Sequence, residues 1–144
     1  MDLILEQFPI VVKALNVGFM QTLKLFFATL IGAVPLGLII TFGSMSRFKP
    51  LSYFTKIIVW IVRGTPLMIQ LLIFYYVLLP LLGIRIPSLN VATLVFGLNS
   101  GAYISEIMRS GIQSVDPGQM EAGRAVGLSF GVTMMKIVIP QAIK

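Results

Sequence analysis

Side chains able to perform covalent or acid–base chemistry are few in this sequence, and their spacing is informative. The five carboxylates, Asp2, Glu6, Glu106, Asp116 and Glu121, are dispersed rather than paired, which gives no acid–base couple of the kind hydrolases use. Histidine and cysteine are both absent, and with them go disulfides, thiol nucleophiles, zinc sites and imidazole catalysis. No Gly-x-x-x-x-Gly-Lys-Ser/Thr run occurs, so the chain lacks the P-loop that cradles nucleotide phosphates. The expectation is a non-enzyme with no catalytic residue, no metal ligand and no cofactor. What remains is polar recognition. Gln70, Asn99 and Ser100 lie inside apolar runs, and a stretch rich in small residues, "DPGQMEAGRAVGLSFGVTMMKIVIPQA", covers 116–142.

The elements that must position these groups are membrane helices. Hydrophobic residues make up 57% of the 144 and charged residues 11%, against about 25% charged in soluble domains. So much apolar surface needs lipid as its solvent, and the bilayer is the first expected partner. Three runs reach the roughly 20 residues needed to cross a core of about 30 Å. They are Leu25–Gly43, Gly64–Ile84 (extended backwards by "IIVWIV") and Ile86–Ser105. The expected layout is one domain over 1–144: an interfacial segment at 1–16, spans at 17–43, 57–84 and 86–108, and a soluble-looking stretch at 116–140 leading into a fourth span. The start has two acids and no cleavage site, so it does not read as a signal peptide. Leu3, Ile4 and the run Ile10–Val12 suit an amphipathic lead-in.

Basic residues set the orientation. Arg47, Lys49, Lys56 and Arg63 link spans one and two, and Arg109, Arg124 and Lys136 follow span three. Lys13, Lys24 and Arg85 mark the other side. The positive-inside rule puts 44–63 and everything after about 108 in the cytoplasm. The net charge of +6 is thereby explained by topology, and no nucleic-acid partner is expected.

On the cytoplasmic side, Asp116 is a good N-cap, Pro117 suits the first helical position and Gln119 stands where a capping box wants Glu or Gln. Gly127 is a natural stop. The prediction is a helix over 117–126 whose surface carries Ala122, Gly123 and Ala125, small residues that let another backbone approach. Ser129 caps a following helix that Pro140 bends.

This stretch resembles the EAA loop in the membrane subunits of ATP-binding cassette (ABC) importers. Glu121, Ala122, Gly123 and Gly127 match its first part, and Ile137, Ile139 and Pro140 match its second at the same spacing. Gly123 replaces the second alanine and Ile139 replaces a leucine. "RGTPLMIQLLIFYY" and "NSGAYISEIMRSGIQSVDPGQMEAGRAVGLS" are similar to the polar amino acid branch of these permeases. The resemblance implies an all-α polytopic permease of the type I importer fold. It implies a pair of ABC ATPase subunits docking on Glu121, Ala122, Gly123 and Gly127, with 117–126 as the coupling helix. It also implies a second permease subunit, identical or different, an extracytoplasmic amino-acid-binding protein, and a bacterial plasma-membrane location. Such permeases continue through two more spans, so on this reading the chain is C-terminally truncated at Lys144.

Two readings of the buried polar groups stay open. Gln70, Asn99 and Ser100, with Tyr103 one turn below, line a substrate pathway, or they only bond helix to helix. Gly32, Pro35 and Gly37 read as packing features, Phe74, Tyr75 and Tyr76 as packing and interfacial anchors, and Glu106 with Arg109 as a helical ion pair. Rival functions are a small non-transporting membrane protein, a non-functional fragment, and a channel subunit, the last lacking any filter-like glycine motif.

Overall fold

The computed structural model describes residues 2–143, with side chains from Glu6 onward. The side chains of Leu3 and Ile4 in the expected interfacial segment, and the whole of Lys144, lie outside that description. Among the described residues six helices follow in order: α1 (Asp2–Ser44), α2 (Lys49–Gly64), α3 (Leu67–Leu81), α4 (Ser88–Ser114), α5 (Pro117–Ala125) and α6 (Phe130–Ala142). From Glu6 to Ser44, α1 is a predominantly apolar helix of 39 residues, about 58 Å long at 1.5 Å per residue. The expected division between 1–16 and 17–43 is not a break in the helix, which passes through both segments.

The core is the parallel crossing of α1 on α4. Ala33, Gly37 and Thr41 recur every four residues on α1 and face Gly101 and Ser105 on α4, with Ala33, Thr41 and Ser105 buried. A Cβ on Gly37 would stand 2.6 Å from Ile104 Cγ2 and 3.2 Å from Gly101 O, so this position needs glycine, while one on Gly101 would press on the Leu36 side chain, 2.9 Å away at Cδ2. Gly32 meets nothing within 4 Å. Small residues at this spacing let two helices approach without water to drive them together. The Thr41 hydroxyl lies 2.7 Å from Gly37 O and 3.2 Å from Ser105 O, which locks the register.

The expected crossing at 57–84 is divided. α2 and α3 meet at 105° across Thr65 and Pro66. Pro66 has no N–H and forces the residue before it out of the helical region; Thr65 sits at φ −108°, ψ 138°. Only α1 and α4 are long and apolar enough to cross alone among the described residues, with α2 and α3 together making a third candidate.

Proline also explains two widened turns. In α3 the N–H of Leu79 donates to Phe74 O, and in α6 that of Ile139 donates to Met134 O, each one residue before a proline, Pro80 and Pro140. A proline cannot donate to the carbonyl four residues back and its ring crowds it, so the preceding turn opens to i→i−5 bonding.

Candidate functional site

The small-residue stretch forms the helix predicted for it, with tighter local control than its sequence suggests. Asp116 Oδ1 accepts from Gly118 N at 2.8 Å, and Pro117 opens α5. The C-terminus closes as a Schellman motif: Leu128 N donates to Gly123 O at 2.9 Å and Gly127 N to Arg124 O at 3.0 Å. Gly127 takes φ +81°, a conformation that side chains resist. Ser129 then accepts from Val132 N and starts α6. Gln119 does not complete a capping box. Its Oε1 accepts instead from Gln141 Nε2 of α6 at 3.3 Å, so the side chain ties two helices together.

Gly123 departs from the expected outward surface. It is buried, and a Cβ there would run into Thr133 Cγ2 and lie 2.6 Å from Thr133 Oγ1. Glycine is thus the contact by which α5 is folded against α6. The exposed side of α5 carries Glu121, Ala122, Arg124 and Ala125, continued by Val126, which is 74% exposed. This leaves a nearly flat strip bearing one carboxylate and one guanidinium.

A second polar constellation runs down one side of α4. Asn99, Tyr103 and Glu106 are four and three residues apart, which puts them on one face. Opposite lies the α2–α3 corner. Asn99 Nδ2 donates to Gln70 Oε1 at 3.2 Å. Gln70 Nε2 contacts Val62 O at 2.7 Å, Thr65 O at 3.0 Å and Thr65 Oγ1 at 2.7 Å. In an unbroken helix Val62 O would accept from residue 66, which is proline. The Gln70 amide supplies the missing donor. Below it, the Arg63 guanidinium sits 5.2 Å above the Tyr103 ring and 3.3 Å from Glu106 Oε2. Arg109 grips the same carboxylate with two bonds, Nε at 3.1 Å and Nη2 at 2.7 Å.

Of the four expected pathway residues, Gln70, Asn99 and Tyr103 share this column. Ser100 does not. It turns toward α1 and lines a separate cavity of about 410 Å³ with Thr22, Phe26 and Thr29. Sequence reading missed Arg63 as a partner of Glu106, since only the nearer Arg109 is visible from helical spacing. Among the described residues no group of three His, Cys, Asp or Glu side chains is placed to hold a metal.

Comparison with known proteins adds a family. Residues 33–144 match the family described as binding-protein-dependent transport system inner membrane component. The chain is 36% identical over 140 residues to the arginine transport system permease protein ArtQ of Bacillus subtilis, covering 97% of this chain and 62% of that one. It is 37% identical over 144 residues to the L-cystine transport system permease protein TcyB of the same organism, covering 99% and 59%. A solved crystal structure of an amino acid ABC transporter with histidines superposes with a TM-score of 0.80 at 39% identity, over 92% of this chain and 63% of that one. The chain thus spans about three fifths of the length of the relatives it matches.

Proposed function

This chain belongs to the family of binding-protein-dependent transport system inner membrane components, and we propose that it serves as a membrane-spanning permease subunit of an ABC importer for a polar amino acid. The relatives named for arginine and cystine transport support the substrate class. The observation that carries the reading is the construction of α5. Gly123 fastens it to α6 and the Schellman turn fixes its end, so that Glu121, Ala122 and Ala125 face outward on a rigid strip.

Ala122 and Ala125 on this strip admit close approach of another backbone, and Glu121 gives that approach a polar anchor. In this reading two ATPase subunits supply the force, because the chain has no nucleotide-binding loop of its own. Each would grip an α5 on the cytoplasmic side. α4 ends at Ser114, two residues before the cap of α5, so a displaced α5 pulls directly on the helix carrying the polar column. A second permease subunit completes the pathway, and an extracytoplasmic binding protein delivers the amino acid.

Pull-down of the cognate ATPase subunit by this chain tests the docking. Glu121→Lys and Ala122→Trp should each abolish capture without loss of chain from the membrane. Capture unchanged by both substitutions would end the proposal.

For Gln70, Asn99 and Tyr103 the bonded geometry favours bracing over substrate contact, since the Gln70 amide is already fully engaged. Uptake kinetics of Asn99→Leu in the assembled transporter separate the two. Bracing predicts a reduced rate with unchanged apparent affinity for the amino acid. A weakened affinity would instead return Asn99 to the pathway.

A further inference from the structure

The depth of α2 is fixed by its two ends. α1 and α4 run parallel, and the Thr41–Ser105 contact sets an offset of 64 residues between them. In that register Ser44 stands level with Met108. Near the start of α2, Ser52 donates its hydroxyl to Ser44 O at 2.7 Å. Near its end, Arg63 bonds Glu106, less than one turn from Met108 on α4. The helix between those anchors advances about 16 Å, whereas the levels they mark on α4, Met108 and Glu106, are two residues, about 3 Å, apart. α2 therefore runs across the bundle axis, as the 105° corner requires, at the membrane face that carries α5.

Its residues divide accordingly. Ser52, Thr55, Val59 and Val62 turn inward. Phe54, Ile57, Ile58 and Ile61 are exposed and apolar. Lys49, Lys56 and Arg63 recur every seven residues on one stripe that holds no acid of its own; Glu106 of α4 pairs with Arg63 at its end, and Lys49 and Lys56 make no ion pair among the described residues. Tyr53 and Trp60 flank that stripe, 64% and 76% exposed. Apolar face, cationic face and aromatic border are what a helix needs to lie in the headgroup plane.

We infer that α2 is a surface helix embedded in one leaflet, and that Lys49 and Lys56 bind the headgroups of anionic phospholipids. The charge selects the partner. Apolar packing alone would suit a second protein copy, but two lysines outside any ion pair beside a lipid-facing surface suit anionic headgroups, each cation near such a surface adding to attraction. Neither the transport reading nor any partner subunit is needed for this to hold.

The chain supplies its own probe, because Trp60 is its single tryptophan. The full chain is reconstituted in vesicles of mixed phosphatidylcholine and phosphatidylglycerol, with bromine on one lipid species at a time. Bromine near the headgroup end of the acyl chain should quench Trp60 more than bromine deep in the chain. Brominated phosphatidylglycerol should quench more than brominated phosphatidylcholine at equal mole fraction. That preference should disappear in Lys49→Gln/Lys56→Gln and at high salt, and persist in Lys136→Gln on α6. Deeper bromine quenching better would mean that α2 crosses the bilayer, and would overturn the inference. So would equal quenching by both headgroups, or shielding of Trp60 from all lipid that grows with protein density, the mark of a second copy on this face.

Discussion

Gly123 illustrates what one residue decides. The importer pattern has alanine at this position, and the substitution reads from sequence as a harmless exchange of small for smaller. In the fold it is required, because Thr133 occupies the space a methyl group would need. Gly123→Val should destabilise the α5–α6 corner by about 1–3 kcal/mol through overpacking, read as a lowered unfolding midpoint in detergent. Thr133→Ala removes the two closest atoms, so it should recover part of the loss of Gly123→Ala; additivity of the two would contradict the contact. Gln70 is a comparable case. Gln70→Leu leaves Val62 O with only the long 3.4 Å contact from Thr65 Oγ1, a cost of about 1–3 kcal/mol, whereas Asn99→Leu removes one bond and leaves Gln70 held by Val62 and Thr65, and should cost less. The caps at Asp116, Gly127 and Ser129 were legible because capping is local. The roles of Gly123 and Gln70 were not, because each depends on an atom from another helix.

Helix by helix, legibility follows the same division. Long apolar runs announce α1 and α4, and proline announces the corner before α3 only as a break, without its angle. The sequence places Glu106 beside Arg109 by spacing alone; the corner brings Arg63 to the same carboxylate. Glu106→Gln would strand two guanidiniums on a half-buried face, while Arg63→Gln gives up only the contact between helices and leaves the Arg109 pair intact. Thermal unfolding should therefore rank Glu106→Gln as the more damaging change, and the reverse order would mean that Arg63 holds the corner through Tyr103 instead. The two opened turns before Pro80 and Pro140 were invisible to periodicity, since a single i→i−5 turn shifts the helical phase too little to register in an apolar run.

At the scale of the whole molecule, the parallel α1–α4 pair is the rigid post, α2 lies across it at one face, and α5 hangs from the end of α4 beside that face. Force applied to α5 reaches α4 through two residues and, through the Asn99–Gln70 and Glu106–Arg63 contacts, the corner from which α3 departs. The permease assignment depends on α5 being an outward, cytoplasmic strip held by an ATPase. The chain contains no cysteine, so Ala122→Cys creates a single labelling site there. In oriented membrane vesicles a membrane-impermeant maleimide should label that site only from the cytoplasmic side, and bound ATPase subunit should protect it. Labelling from the opposite side, or labelling that the ATPase subunit leaves unchanged, would contradict the docking of α5.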